Sequence, residues 1–117
     1  MKVIIAGGRD FMDYAMLSEK CDNILVNIDN IEIVCGCANG ADTLGESYAK
    51  NHLYNIKRFP ANWKKYGKQA VQYRNKQMSE YADALIAFWN GKSSGTKNMI
   101  ELAQQRNLSI RIIKYNQ

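Results

Sequence analysis

The sequence predicts an α/β fold: a single Rossmann-like three-layer sandwich, with a five-stranded parallel sheet in the order 3-2-1-4-5 and helices on both faces. Three observations predict it. Apolar runs of strand length alternate with stretches of helical period, as crossovers between parallel strands require. Two of those runs, Val3-Ile4-Ile5-Ala6 and Leu85-Ile86-Ala87-Phe88-Trp89, are continuously apolar, as suits strands covered on both faces. Glycine-rich segments follow three of the strands and each leads into a helical stretch.

The first strand is Lys2–Ala6. Beyond it Leu17, Cys21, Ile24, Leu25 and Ile28 recur at helical spacing as one apolar stripe, the first helix. Glu32–Cys35 is the second strand, and Ala41, Leu44, Tyr48 and Ala49 mark the second helix. The third strand, Ile56–Phe59, is half charged and reads as a sheet edge. Val71, Met78 and Tyr81 define the third helix, Ala84–Trp89 the fourth strand, and Met99, Ile100 and Ala103 the fourth helix. The fifth strand, Ser109–Ile113, alternates in Ile110-Arg111-Ile112 and forms the other edge. Right-handed crossovers then give the order 3-2-1-4-5, in which the chain reverses direction between strands one and four. Ligands of open α/β sheets sit beyond the carboxyl ends of strands at such a switch point, here the loops Gly7–Phe11 and Asn90–Thr96.

The 117 residues are expected to form one domain over 1–117, long enough to bury a real core. A hydrophobic content of 46% with a single proline excludes a disordered basic tail. The apolar runs fall far short of the ~20 residues of a membrane span. Met1-Lys2 enters a strand without a signal-peptide pattern, so a cytoplasmic protein with no membrane partner is expected. Cys21, Cys35 and Cys37 are an odd number whose close pair is Cys-x-Cys, and they are expected to be buried reduced thiols. With His52 the only histidine, neither a zinc centre nor a His-dependent triad is expected, and the site is expected to hold no metal and no cofactor. His52 itself reads as a favourable charge at the end of the second helix.

Charge is distributed unevenly. Residues 1–56 hold 4 basic and 8 acidic groups, residues 57–117 hold 12 and 3, and Lys57–Lys76 contains seven basic groups and no acid. Within that block, Pro60-Ala61-Asn62-Trp63-Lys64-Lys65-Tyr66-Gly67 interleaves aromatics with cations. Two readings apply: Trp63 stacks a base while a lysine neutralises phosphate, or the segment is an exposed basic turn with Trp63 packed over the core. Tyr73, Tyr81 and Trp89 read as core or subunit-contact residues.

A glycine-rich turn opening a helix presents unpaired backbone N–H groups and a positive dipole end to an anion. Gly7-Gly8-Arg9-Asp10, Gly36-Cys37-Ala38-Asn39-Gly40-Ala41-Asp42 and Gly91-Lys92-Ser93-Ser94-Gly95-Thr96 are three such turns at one sheet edge. Neither familiar nucleotide motif is present. The first turn lacks G-x-G-x-x-G, and Gly91-Lys92-Ser93 has Ile86 where a P-loop has its first glycine. Asp10 reads either as a cap of the first helix or, with Arg9, as a ligand contact, and Asp42 either favours the positive end of the second helix or hydrogen-bonds a ribose hydroxyl.

In combination, Gly7-Gly8-Arg9-Asp10-Phe11, Gly36-x-Ala38-x-Gly40-Ala41-Asp42, Arg74-Asn75-x-x-Met78 and Trp89-x-Gly91-x-Ser93-x-Gly95-Thr96 resemble the YspA-type, cpYpsA-related branch of the SLOG superfamily. The resemblance runs over nearly the whole chain. It implies a Rossmann-like fold and a nucleotide-derived ligand, such as ADP-ribose or a cyclic nucleotide, bound over the Gly-rich loops. The superfamily includes the "Lonely Guy" phosphoribohydrolases, the DNA-processing DprA proteins and sensors of nucleotide-derived signals. Carried onto this chain, Ser94, Gly95 and Thr96 would hold a phosphate, and Gly7 and Gly8 would let backbone approach the ligand. Arg74 matches the arginine of the hydrolases' R-K-x-x-M segment, with Asn75 in place of the lysine. Arg9, Asp10, Gly36, Ala38, Gly40, Asp42, Trp63, Asn90 and Gly91 complete the candidate ligand contacts. The hydrolases carry acids just after Gly-Thr, but Thr96 here is followed by Lys97-Asn98-Met99, with no carboxylate until Glu101. If the protein is an enzyme, Asp42, Arg74 and Asp10 would carry its chemistry.

The reading expected is therefore a module that senses or sequesters a small phosphorylated nucleotide derivative. The alternatives are a hydrolase of an N-glycosidic or phosphate bond and, third, single-stranded nucleic-acid binding as in DprA. Nucleic acid ranks last because the first half is net acidic and no regular run of exposed aromatics is present. By analogy with small Rossmann-like domains, a homo-oligomer is expected, with helices three and four as its interface.

Overall fold

Val3–Ala6 and Leu85–Phe88 offer water no polar side chain, and in the computed structural model, which describes residues 1–116, both segments lie in the middle of the sheet. The chain runs β1 (Lys2–Gly7), α1 (Tyr14–Leu25), β2 (Glu32–Cys35), α2 (Ala41–Asn51), β3 (Asn55–Arg58), α3 (Trp63–Tyr66), a 3-10 turn over Gly67–Gln69, α4 (Ala70–Tyr81), β4 (Ala84–Trp89), α5 (Ser94–Gln105) and β5 (Ser109–Lys114). All strand pairs are parallel and the order is β3-β2-β1-β4-β5, as expected.

Successive strand residues point to opposite faces, and the two faces hold separate cores. Val3, Ile5, Ile33, Ile86 and Phe88 pack with Leu17, Cys21 and Leu25 of α1 and Tyr48 and Ala49 of α2. Ile4, Ala6, Val34, Leu85 and Ala87 pack with Met78 of α4 and Met99, Ile100 and Ala103 of α5. The edges are charged: Lys57 and Arg58 on β3, Arg111 and Lys114 on β5, which discourages further strand pairing.

Four local expectations are corrected. β3 begins at Asn55 and ends at Arg58, one residue before Phe59, whose N–H still donates to the Cys35 carbonyl at 2.9 Å. The stretch expected as a basic turn is helical, because Asn62 caps α3 by accepting the Lys65 N–H at 3.1 Å. Its Trp63 is not packed over the core but 54% exposed. Cys21 and Cys35 are buried, with Cys21 pushed up to about 12 chiefly by burial, whereas Cys37 is exposed, on a loop residue at φ 62° beyond the end of β2.

The aromatic and histidine assignments divide similarly. Tyr81 and Trp89 pack against the second core, but Tyr73 is exposed and stacks on Tyr66. His52 does more than sit at the end of α2: its Nε2 lies 3.1 Å from Asp22 of α1 and its Nδ1 3.0 Å from the Tyr48 carbonyl. The buried Tyr48 hydroxyl donates to the same Asp22 at 2.7 Å, so one carboxylate joins α1 to α2. Tyr48→Phe is expected to cost about 1 kcal/mol, because Asp22 is half exposed and water replaces the lost donor. Tyr48→Ala, which also opens a cavity, should cost about 3 to 5 kcal/mol. Urea midpoints of the two variants measure the difference, and equal losses would mean that the hydroxyl, and not the ring, holds the helices together.

Candidate functional site

The loops after β1, β2 and β4 meet above the carboxyl ends of the sheet. The Gly8 N–H donates to the Phe88 carbonyl of β4, while the Gly8 carbonyl accepts from Phe11 and from Ala41 at the start of α2, each at 3.2 Å. Gly40 makes that approach possible. Its φ is 76°, and a Cβ there would collide with the Gly8 carbonyl and the Arg9 backbone. In the third loop the Asn90 side chain accepts the Lys92 and Ser93 N–H groups at 2.8 and 2.9 Å, and Ser93 caps α5 by accepting the Thr96 N–H at 3.4 Å. Asp10 does not cap α1. Asp13 does, accepting the Met16 N–H at 3.0 Å, and Asp10 accepts the Tyr115 hydroxyl at 2.8 Å instead.

Between these loops and α4 lies a cavity of about 580 Å³. Its wall toward β2 carries Arg74, buried at 7% exposure and projecting from α4. The guanidinium donates through Nη1 to the Gly36 carbonyl and through Nε to Asn75 Oδ1, the latter at 3.0 Å. It lies so close over Gly36 that a Cβ at that position would overlap it. Asn75, also buried, passes the connection on: its Nδ2 donates to the Gly95 carbonyl at 3.2 Å and to Asn98 Oδ1 at 3.1 Å. The β2 loop, α4 and α5 are thus joined by one polar chain through the cavity wall.

Of the candidate ligand contacts, Gly7, Gly8, Arg9, Asp10, Ala38, Asp42, Arg74, Asn75, Asn90, Ser94, Gly95 and Thr96 line this cavity. Gly36 and Trp63 border a smaller one of about 290 Å³ beside it, and Gly40 and Gly91 border neither. Of the three lysines in the segment leaving β3, Lys68 reaches the cavity wall, whereas Lys64 and Lys65 do not. Sequence reasoning missed the hydrogen-bonding partners Asn98 and Tyr115, which carry no motif and reach the site through tertiary contacts. Ser93, named in the sequence only as part of the third Gly-rich loop, also caps α5, for which a Ser three residues before Thr96 is a usable signal.

Cations at the cavity are Arg9, Lys68 and Arg74, and the acids are Asp10 and Asp42. Asp42, 6% exposed, accepts the Ala38 N–H at 3.1 Å. Burial pushes its carboxyl up to about 6, against the opposing effects of that hydrogen bond and of the Arg74 charge. Burial likewise pulls the Arg74 guanidinium down, with the Asp42 charge opposing. A carboxyl held above its unfolded value keeps a proton that the unfolded chain has already released. The stability it contributes is therefore fully present below pH ~4 and falls as pH rises to ~6, by about 3 kcal/mol. Asp42→Asn should remove this slope and be more stable than the wild type at pH 7. Denaturant midpoints between about pH 4 and about pH 7 check it, and parallel slopes in the two proteins would assign the titration to another group.

Comparison with known proteins is consistent with this architecture. Over a 116-residue alignment the chain is 28% identical to the Gene 61 protein of Mycobacterium phage D29, covering 93% of each. Its fold is similar to that of DNA processing protein A (DprA) from Streptococcus pneumoniae, with a TM-score of 0.75 and 15% identity over 95% of this chain and 49% of that one. A second DprA, from Helicobacter pylori, whose structure is described for its single-stranded DNA binding mode, gives 0.68 and 20% over 96% and 64%. The chain therefore spans between about half and under two-thirds of those structures, and the likeness is one of fold. Residues 1–66, which contain the first two Gly-rich loops, match a defined protein family, and the chain belongs to the YspA, cpYpsA-related SLOG family.

Proposed function

We propose that the chain binds a small phosphorylated, nucleotide-derived ligand in the cavity above the switch point, as a sensing or sequestering module formed by residues 1–117. The observation that carries this reading is the buried Arg74 and Asp42 pair in one cavity with the α5 N-terminus. Burying a guanidinium and a carboxyl costs stability, and a chain that keeps both beside a cleft has a use for them there. Arg9, Lys68 and Arg74 supply charge for phosphate, and Ser94 and Gly95 stand at the end of α5 that favours anions. Asp42 supplies an acceptor for a ribose hydroxyl, and Gly7 and Gly8 offer backbone to the ligand from the cavity wall, although the space a Cβ would fill at each is taken by Phe88 and Ala41 or by Tyr115 and Asp10. Family membership supports a nucleotide-related role.

A second reading, single-stranded nucleic acid, is favoured by the fold shared with the DprA proteins and by the basic block Lys57–Lys76. The two readings differ in salt dependence. Contact with several phosphates of a strand makes affinity fall steeply with salt, whereas one enclosed phosphate gives a shallow dependence. Turnover is a separate matter, since Asp42 near 6 has the acidity of a usable general acid or base.

Thermal shift and calorimetry against ADP-ribose, cyclic ADP-ribose isomers, cyclic dinucleotides and mononucleotides test the proposal. At least one should stabilise the protein by several degrees at saturating concentration, and no stabilisation across the panel, with salt-sensitive oligonucleotide binding instead, would favour the second reading. Lys68→Ala should weaken ligand binding by roughly three- to tenfold with an unchanged melting temperature, because Lys68 is exposed. Asp42→Asn should abolish the rise in affinity expected between pH ~5 and ~7 as the carboxylate forms. Chromatography of the incubated ligand shows whether it is cleaved.

A further inference from the structure

The smaller cavity adjoins the main one. Arg9, Ala38, Val71 and Arg74 border both, so the two meet at a waist formed by these four residues. Beyond the waist the wall is Trp63, more than half exposed although it is among the most apolar side chains of the protein. A single exposed tryptophan is unremarkable on a surface, but this one is held in place. Pro60 restricts the chain before it, and Asn62 caps the helical turn that carries it. Facing it is the loop Gly36–Asn39, where Asn39 brings an amide with both donors and acceptors.

We infer that this second compartment is a base-binding subsite, in which the Trp63 indole stacks a purine or pyrimidine ring. The inference rests on the reading of the main cavity as a phosphate site and adds the heteroaromatic end of the ligand. Strand order supplies the spacing. α5 begins after β4 and Trp63 follows β3, with β1 and β2 between them. Three strand intervals put β3 and β4 about 14 Å apart in the sheet, a separation on the scale of an extended nucleotide and not of a sugar phosphate alone. The waist then falls where a ribose lies, beside Asp42.

Cys37 provides a local reporter. It borders the second compartment and not the first, and it is the exposed thiol, Cys21 and Cys35 being buried. The test uses the full chain and its Trp63→Ala and Trp63→Phe variants, titrated calorimetrically with ribose 5-phosphate and the four common ribonucleoside 5′-monophosphates, together with the rate of Cys37 alkylation by iodoacetamide. The tightest monophosphate should bind about tenfold or more tightly than ribose 5-phosphate. Trp63→Ala should remove that advantage and leave ribose 5-phosphate affinity unchanged, while Trp63→Phe keeps most of it. The saturating monophosphate should slow Cys37 alkylation, and saturating ribose 5-phosphate should not. Monophosphates that bind no better than ribose 5-phosphate, or equally well to Trp63→Ala, or without protecting Cys37, would overturn the base subsite and leave the phosphate site standing. Failure of every compound here to bind, together with failure of the whole panel of larger nucleotide derivatives, would overturn both.

Discussion

A guanidinium taken out of water must have its donors satisfied by the protein, and Arg74 meets that demand in a way that organises the site. One N–H reaches the Gly36 carbonyl and another reaches Asn75, which in turn binds the Gly95 carbonyl and Asn98. The loop after β2 and the first turns of α5, which follows β4 on the far side of β1, are therefore tied to the same turn of α4. Gly36 has no side chain because the arginine occupies that space. Asp42 lies within the field of the same charge, which partly offsets the effect of burial on its carboxyl.

The unequal charge of the two halves resolves into local arrangements. Arg58 pairs with Glu46 of α2, and Arg106 with Glu80 of α4. Lys2 and Lys57 lie over the ring of Tyr81, and Lys65 over that of Tyr66. Exposed pairs of this kind contribute little to stability. From the basic block, Lys68 and Arg74 face the main cavity, where with Arg9 they outnumber two acids, one of them pushed up to about 6 chiefly by burial. The positive field that matters for an anionic ligand is that of a cleft, focused by its walls.

The family match ends at residue 66, before Arg74 and the α5 loop, yet the site joins the matched and unmatched parts. The Gly8 carbonyl holds the start of α2, the Gly36 carbonyl holds Arg74, and Tyr115, from just past β5, holds Asp10. Two of these contacts are to backbone carbonyls and the third joins two side chains. A cavity built in this way is largely preformed, which lowers the cost of ordering it around a ligand.

Sequence alone determined the strand order and the two-sided core, because burial on both faces demands continuously apolar strands and an edge tolerates charge, and these demands are written in Val3–Ala6, Leu85–Phe88 and Lys57-Arg58. It also located the three loops, since glycine after a strand and before a helix is a local signal, and most of the residues singled out in them line one cavity. Only the tertiary structure decided which side chains those loops would meet. The Asp10 partner is 105 residues away in sequence and that of Gly36 is 38, spacings that no periodicity records. The exposure of Trp63 and Cys37 was decided there too, because a short helix capped by Asn62 and a left-handed residue beyond β2 turn them away from the core toward the second compartment.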